Sequence, residues 1–115
     1  MDKRDEARLI DMLDEARKIQ KFIDDKKRDD FDNNDMLSYA VIRAVEIIGE
    51  AATQVTTETR EQYSQLSWKN IIGMRNRLIH VYRDVDLDIV WNVATQNLPL
   101  LITQLSEILA NLDEN

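Results

Sequence analysis

The stretch LSYAVIRAVEIIGEAATQV, residues 37–55, places Leu37, Val41, Ala44, Ile48, Ala51, Ala52 and Val55 at helical spacing. Residues three and four apart lie on one face of a helix, so these positions form a single apolar stripe. Its alanines suit close approach to a neighbour, and the spacing predicts a packing helix that ends near Gln54. Towards the N-terminus, Leu9, Leu13, Ala16, Phe22 and Ile23, flanked by Ile10, Met12 and Ile19, repeat the pattern from about Arg4 to Lys27. The intervening KKRDDFDNND, residues 26–35, is dense in charge and reads as a solvated loop ending in an Asn or Asp helix cap.

Towards the C-terminus, Thr56 and Thr57 offer the next cap, with Glu61 nearby, for a short helix around Glu58 to Tyr63. Ser67 then caps a third long helix, expected from Trp68 to about Tyr82, and Arg83, Asp84, Val85 and Asp86 read as a turn. Pro99 lacks a backbone donor and interrupts the last segment, leaving Asp88–Gln96 and Leu98–Asn111 as two helices or one kinked helix. With only 2 Gly and 1 Pro and no strand pattern, the fold class is all-α. Short connections between long amphipathic helices favour an up-and-down bundle of four to five helices.

The 115 residues, 43% of them hydrophobic, suit one domain spanning 1–115 with a core that needs no staples. Without cysteine, and with 1 histidine, the chain is excluded from disulfide frameworks, thiolate zinc sites, cysteine nucleophiles and Glu-x-x-His di-iron bundles within one chain. No metal or cofactor is expected. A net charge of -7 argues against a general nucleic-acid coat, since phosphate binding is driven by cationic surface. Any such contact must be local. The opening Met1 to Arg8 mixes charges and leads into no signal-like apolar run, and nothing approaches the roughly 20 apolar residues of a membrane span. The expected location is cytoplasmic. The acidic surplus reads as a solvated face, with docking of a basic partner as the alternative.

On the third helix Trp68, Ile71, Ile72, Leu78, Ile79 and Tyr82 form one apolar face with Arg75 in its middle. A buried arginine requires a carboxylate, a cavity or an interface, and Glu46 and Glu50 on the preceding helix are the obvious partners. Those two acids also fit an ordinary solvent-facing role. The opposite stripe holds Lys69, Gly73, Asn76, Arg77, His80 and Arg83. Gly73 is small enough to admit another backbone or a ligand, so a polar cleft is expected there.

Residues 67–83 contain Lys69, Arg75, Arg77 and Arg83 and no acid, a basic island in an acidic chain. Guanidinium groups hold a phosphate and its developing charge, and an imidazole moves protons, so this island suits a phosphodiester. Plainer readings stand beside it. A histidine near a helix C-terminus is favourable for its charge alone, and Tyr82 fits a tyrosine with a buried ring and a hydroxyl at the rim. Residues five apart on a straight helix point about 140° from each other, so Arg75 and His80 do not share a face, whereas Asn76 and His80 do. A common site then requires a distorted helix, or two copies about a two-fold axis, which would also supply two imidazoles for a reaction that needs proton acceptor and donor.

The string Arg75-Asn76-Arg77-Leu78-Ile79-His80-Val81-Tyr82 resembles the R-x4-H-x-Y motif, with Asn after the Arg, of the HepT toxins in the HEPN superfamily. The resemblance extends over most of the chain: Arg43-Ala44-Val45-Glu46-Ile47-Ile48-Gly49-Glu50-Ala51, then Trp68 and Ile72-Gly73-Met74, then Val85-Asp86 to Val90-Trp91. It implies a homodimeric HEPN-like bundle with a metal-independent ribonuclease site at the dimer cleft. Such a protein is the toxin of a type VII toxin–antitoxin pair, with RNA, tRNA or mRNA, as substrate. By the same resemblance Arg75 stabilises the phosphate, His80 transfers protons and Asn76 positions the site, with Arg77, Arg83 and Lys69 as RNA-binding candidates. Tyr82 corresponds to the tyrosine that accepts AMP from the MntA-like nucleotidyltransferase antitoxin. The alternative is a non-catalytic helical binding module that accompanies a nucleotidyltransferase.

Overall fold

Asp2 starts the first helix: its carboxylate accepts the Arg4 N–H at 2.7 Å, satisfying a donor that the first turn leaves free. Helix α1 then runs Lys3–Ile23 and buries Leu9, Met12, Leu13, Ala16 and Ile19, most of the apolar stripe expected from the sequence, whereas Phe22 and Ile10, also counted with it, lie exposed. It ends where Asp25 takes the left-handed conformation, φ 60°, which short polar side chains tolerate. The structure, a computed structural model, describes residues 1–80 and 86–113, with the side chains of 77–80 and 113 outside the description.

The segment expected to be a solvated loop departs from that reading. It contains a short helix, α2 (Arg28–Asp32), whose one apolar residue, Phe31, is 0% exposed. The Phe31 ring lies 5.2 Å from that of Trp91, centroid to centroid, so the charged segment is pinned by one aromatic anchor. Asn34 then caps α3 (Asp35–Gln54), accepting the Leu37 N–H at 3.1 Å. Helix α3 is the centre of the bundle, with Val41, Ala44, Val45, Ile48, Ala51 and Ala52 buried and α1 and α5 against it.

Thr56 caps α4 (Thr57–Gln62), and Arg60 reaches back with Nη2 to the carbonyls of Ala52 at 3.1 Å and Thr53 at 3.0 Å. That guanidinium adds to the bonding of carbonyls at the end of α3, where Ala52 also accepts the Val55 N–H at 3.3 Å. Next come α5 (Trp68–His80), α6 (Leu87–Asn92), a π-helical turn (Val93–Asn97) and α7 (Leu98–Asp113), which packs on α1. Of the two readings of Pro99, the structure takes the continuous one. The wider π turn, closed by the Leu98 N–H bonded to the Val93 carbonyl, shifts the hydrogen-bond ladder just before the residue that has no N–H to give.

The fold is all-helical, and no strand occurs among the described residues. Among them, too, no helix is long and apolar enough to cross a membrane.

One buried acid has no counterpart in the sequence reading. Asp5, 2% exposed, accepts from the Thr56 N–H at 3.1 Å and from the hydroxyls of Thr56 and Thr59, each at 2.6 Å. Burial pushes the carboxyl up, but the Thr56 and Thr59 hydroxyls, the Thr56 N–H and nearby Arg4 together outweigh it and hold its pKa below the ordinary carboxylate value. The network ties the start of α1 to the α3–α4 corner.

Candidate active site

Helix α5 carries the basic island and is fixed at its start by two different bonds. The Ser67 carbonyl accepts the Ile71 N–H at 2.9 Å, and the Trp68 indole donates to the Tyr63 carbonyl at 3.0 Å. Trp68 and Ile71 are buried against the core, which orients the face holding Arg75 towards α3.

At that crossing sits Gly49. A β-carbon built on it would collide with Cβ of Arg75 and lie 3.2 Å from its Cγ and Cδ, so the absence of a side chain lets the arginine stem cross α3 at close range. The Arg75 Nε is buried without a hydrogen-bond partner. Among the described residues no carboxylate lies within ion-pair distance of Arg75. Glu46 and Glu50 instead turn to Arg43, at 3.2 and 3.6 Å, on the outer face of their own helix. The expected Arg75 pairing is therefore not formed within the single chain. The cause is rotational: it is position 49, about 100° round the helix from 50, that meets α5.

The two glycines of the chain play different parts. Close helix approach falls at Gly49, whereas a β-carbon on Gly73 would meet nothing within 4 Å among the described residues. Gly73 instead faces a cleft of about 550 Å³ between α5 and the α6–π segment, with Lys69 and Asn70 on one wall and Asn92 and Asn97 on the other. This is the opening expected on the Lys69–Gly73 stripe. At its edge Asp88 is held by Arg28 at 2.7 Å, and Arg28 also meets Asp32 at 2.8 Å. The hydrogen bonds that the guanidinium donates to Asp32 and Asp88 raise its pKa.

Asn76 is exposed, and the backbone of α5 continues as helix through His80. The side chains of Arg77 and His80, and Tyr82 and Arg83 altogether, lie outside the described residues. The sequence reading missed Gly49 as the contact residue and Asn70, Asn92 and Asn97 as cleft walls. Nothing in chain order signals that the two walls meet. A glycine kept inside an apolar helix was the available hint for Gly49.

A helical bundle whose central crossing seats an arginine on one face of α5, with a polar cleft along the other face, fits a protein that handles phosphates. The family model described as "Ribonuclease HepT-like" matches residues 12–108. The chain belongs to this HepT-like ribonuclease family. It is 41% identical over 100 residues to "Putative RNase MJ1380" of Methanocaldococcus jannaschii, covering 86% of this chain and 92% of that protein. To "Putative RNase MJ0125" of the same organism it is 38% identical over 115 residues, 99% of each chain. To "Probable ribonuclease HepT" of Thermococcus cleftensis it is 31% identical over 93 residues, 81% of this chain and 84% of that one. No solved structure matches the chain significantly.

Proposed function

We propose that the chain is a metal-independent ribonuclease toxin whose active site is a cleft shared by two copies. The observation that carries this reading is Arg75. Its stem is seated on Gly49 and its buried Nε has no acceptor within the described chain. A buried donor left unpaired costs about 1–3 kcal/mol, a cost that an incoming phosphate oxygen removes while matching the fork of the guanidinium.

In the proposed reaction His80 takes the proton of an RNA 2′-hydroxyl, the 2′ oxygen attacks phosphorus, and the bond to the 5′ oxygen breaks. Arg75 stabilises the charge on the non-bridging oxygens, Asn76 positions the site, and the partner's imidazole returns a proton to the leaving 5′ oxygen. A chain with 1 histidine needs a second copy for that pair. Lys69, Arg77 and Arg83 would hold the strand, tRNA or mRNA, on either side.

The antitoxin in this reading is an MntA-like nucleotidyltransferase. The Tyr82 hydroxyl attacks the α-phosphorus of ATP, pyrophosphate leaves, and tyrosyl-AMP places bulk and negative charge beside the basic island, repelling the RNA backbone. The pair acts in the cytoplasm.

The test is incubation of the protein and His80→Ala with total tRNA in EDTA, with analysis of product ends. Cleavage by the parent alone, leaving 2′,3′-cyclic phosphates, is the expected result. An inert parent carrying no adduct on Tyr82 would favour a binding module in place of the enzyme.

A further inference from the structure

We infer that the cleft between α5 and the α6–π segment is a nucleotide subsite that holds the base of one ribonucleotide flanking the cleaved bond. This deepens the ribonuclease reading and rests on it for the identity of the strand, but the binding itself is separately measurable.

The argument starts from Gly73. Glycine inside a helix costs about 1 kcal/mol relative to alanine, so a helix-interior glycine calls for a reason. The two usual reasons are missing: its φ is not positive, and no described atom lies within 4 Å of the β-carbon it lacks. What the missing side chain leaves open is the cleft, about 550 Å³ and within the range of small-molecule sites.

The walls are suited to a base rather than to a simple anion. Asn70, Asn92 and Asn97 each present a carboxamide, donor and acceptor together, which is what reading the edge of a nucleobase requires. None of the three side chains hydrogen-bonds another described residue, so all are free to do so. Partly buried Ile89 and Met74 give an apolar surface for the ring, and Lys69 supplies a cation for the adjoining phosphate. Asp88, the one acid among the described lining residues, is paired at 2.7 Å with Arg28, a cation it shares with Asp32, which lowers its repulsion of that phosphate.

Placement separates this subsite from the chemistry. Positions 73 and 80 are seven residues apart, nearly two full turns, so they fall on nearly the same stripe about 10 Å apart along the axis. A base in the cleft therefore sits beside the reacting phosphate, where it sets sequence preference.

Gly73→Gln fills the cleft without touching the core. Side-chain amide NMR signals of the three asparagines, assigned with Asn→Ala variants, are followed while AMP, CMP, GMP and UMP are added in turn. Cleavage of tRNA in EDTA and the oligomeric state are measured in parallel. At least one nucleotide should shift those signals in the parent and none in Gly73→Gln, which should keep the parent's oligomeric state and melt no lower, while its kcat/KM falls at least tenfold. Absence of any shift, or parent-like cleavage by Gly73→Gln, overturns the subsite. Dissociation of Gly73→Gln to a smaller species overturns it too, by making the cleft a contact between copies. Nucleotide-induced shifts in a parent that never cleaves RNA would uphold the subsite and overturn the ribonuclease reading alone.

Discussion

Placing the same methyl group at two positions should move stability in opposite directions. At Gly73 a β-carbon meets open space, so Gly73→Ala gains about 0.5–1 kcal/mol from helix propensity and a less flexible unfolded chain. At Gly49 the new β-carbon collides with Cβ of Arg75, an atom fixed to the backbone that no rotamer change can remove, and crowds Cγ and Cδ at 3.2 Å. Overpacking of this kind costs about 1–3 kcal/mol, and after the propensity gain Gly49→Ala should lose up to about 2.5 kcal/mol. The gain is common to both variants, so they differ by the overpacking cost alone; for a domain of this size 1 kcal/mol moves the melting temperature by roughly 3–6 °C, and the two should differ by at least about 3 °C. Urea titration and thermal melting, both followed by circular dichroism, read this directly. If Gly49→Ala melts with or above Gly73→Ala, the close crossing of α3 and α5 at Arg75 is wrong, and so is the seat argued for that guanidinium.

Three further outcomes follow from particular contacts. Asp5→Asn should destabilise by about 1–3 kcal/mol at neutral pH, because a carboxylate that accepts three hydrogen bonds is replaced by an amide. Since the folded pKa is depressed, the stabilisation is complete above the unfolded value of about 3.9 and is lost as pH falls through the folded one. The gap between parent and variant should thus narrow in urea titrations below about pH 4, and a gap independent of pH would refute the sign. Phe31→Ala should cost about 3–5 kcal/mol, measured by urea unfolding, and a loss under 1 kcal/mol would mean that the charged segment is not anchored on Trp91. Tyr82→Phe should retain ribonuclease activity yet take up no AMP from the nucleotidyltransferase, as read by intact mass, and undiminished adduct would place the acceptor elsewhere.

How far the sequence could be read depended on whether a signal was local. The stripes of α1 and α3 and the caps at Asn34 and Thr56 are local, and each was legible because a period of 3.6 residues or one side-chain oxygen suffices to define it. Phe31 was not, because a single aromatic in a run of charges shows no period and its partner, Trp91, is distant in the chain. Arg75 stood out as a charge on an apolar face, but its neighbour did not. Choosing among Glu46, Gly49 and Glu50 requires the rotation of α3 about its axis, and that is set by packing against α1 and α5 together. Asp5 was hidden for a related reason: in the first turn of a helix an aspartate reads as a complement to the helix dipole, and only the fold brings Thr56 and Thr59 to it.

The central claim, a ribonuclease site shared between two copies, is tested most directly by mixing the parent with an inactive variant. The parent and His80→Ala are each purified, then unfolded, mixed in equal amounts and refolded, and assayed on tRNA in EDTA. If each site needs the imidazoles of both copies, half of the dimers are mixed and inert, so the mixture should show about a quarter of the activity of the same total amount of refolded parent. His80→Ala alone should be inert. Activity at about half, as for parent merely diluted with inert protein, would contradict the shared site, and parent-level cleavage by His80→Ala alone would contradict the residue assigned to it.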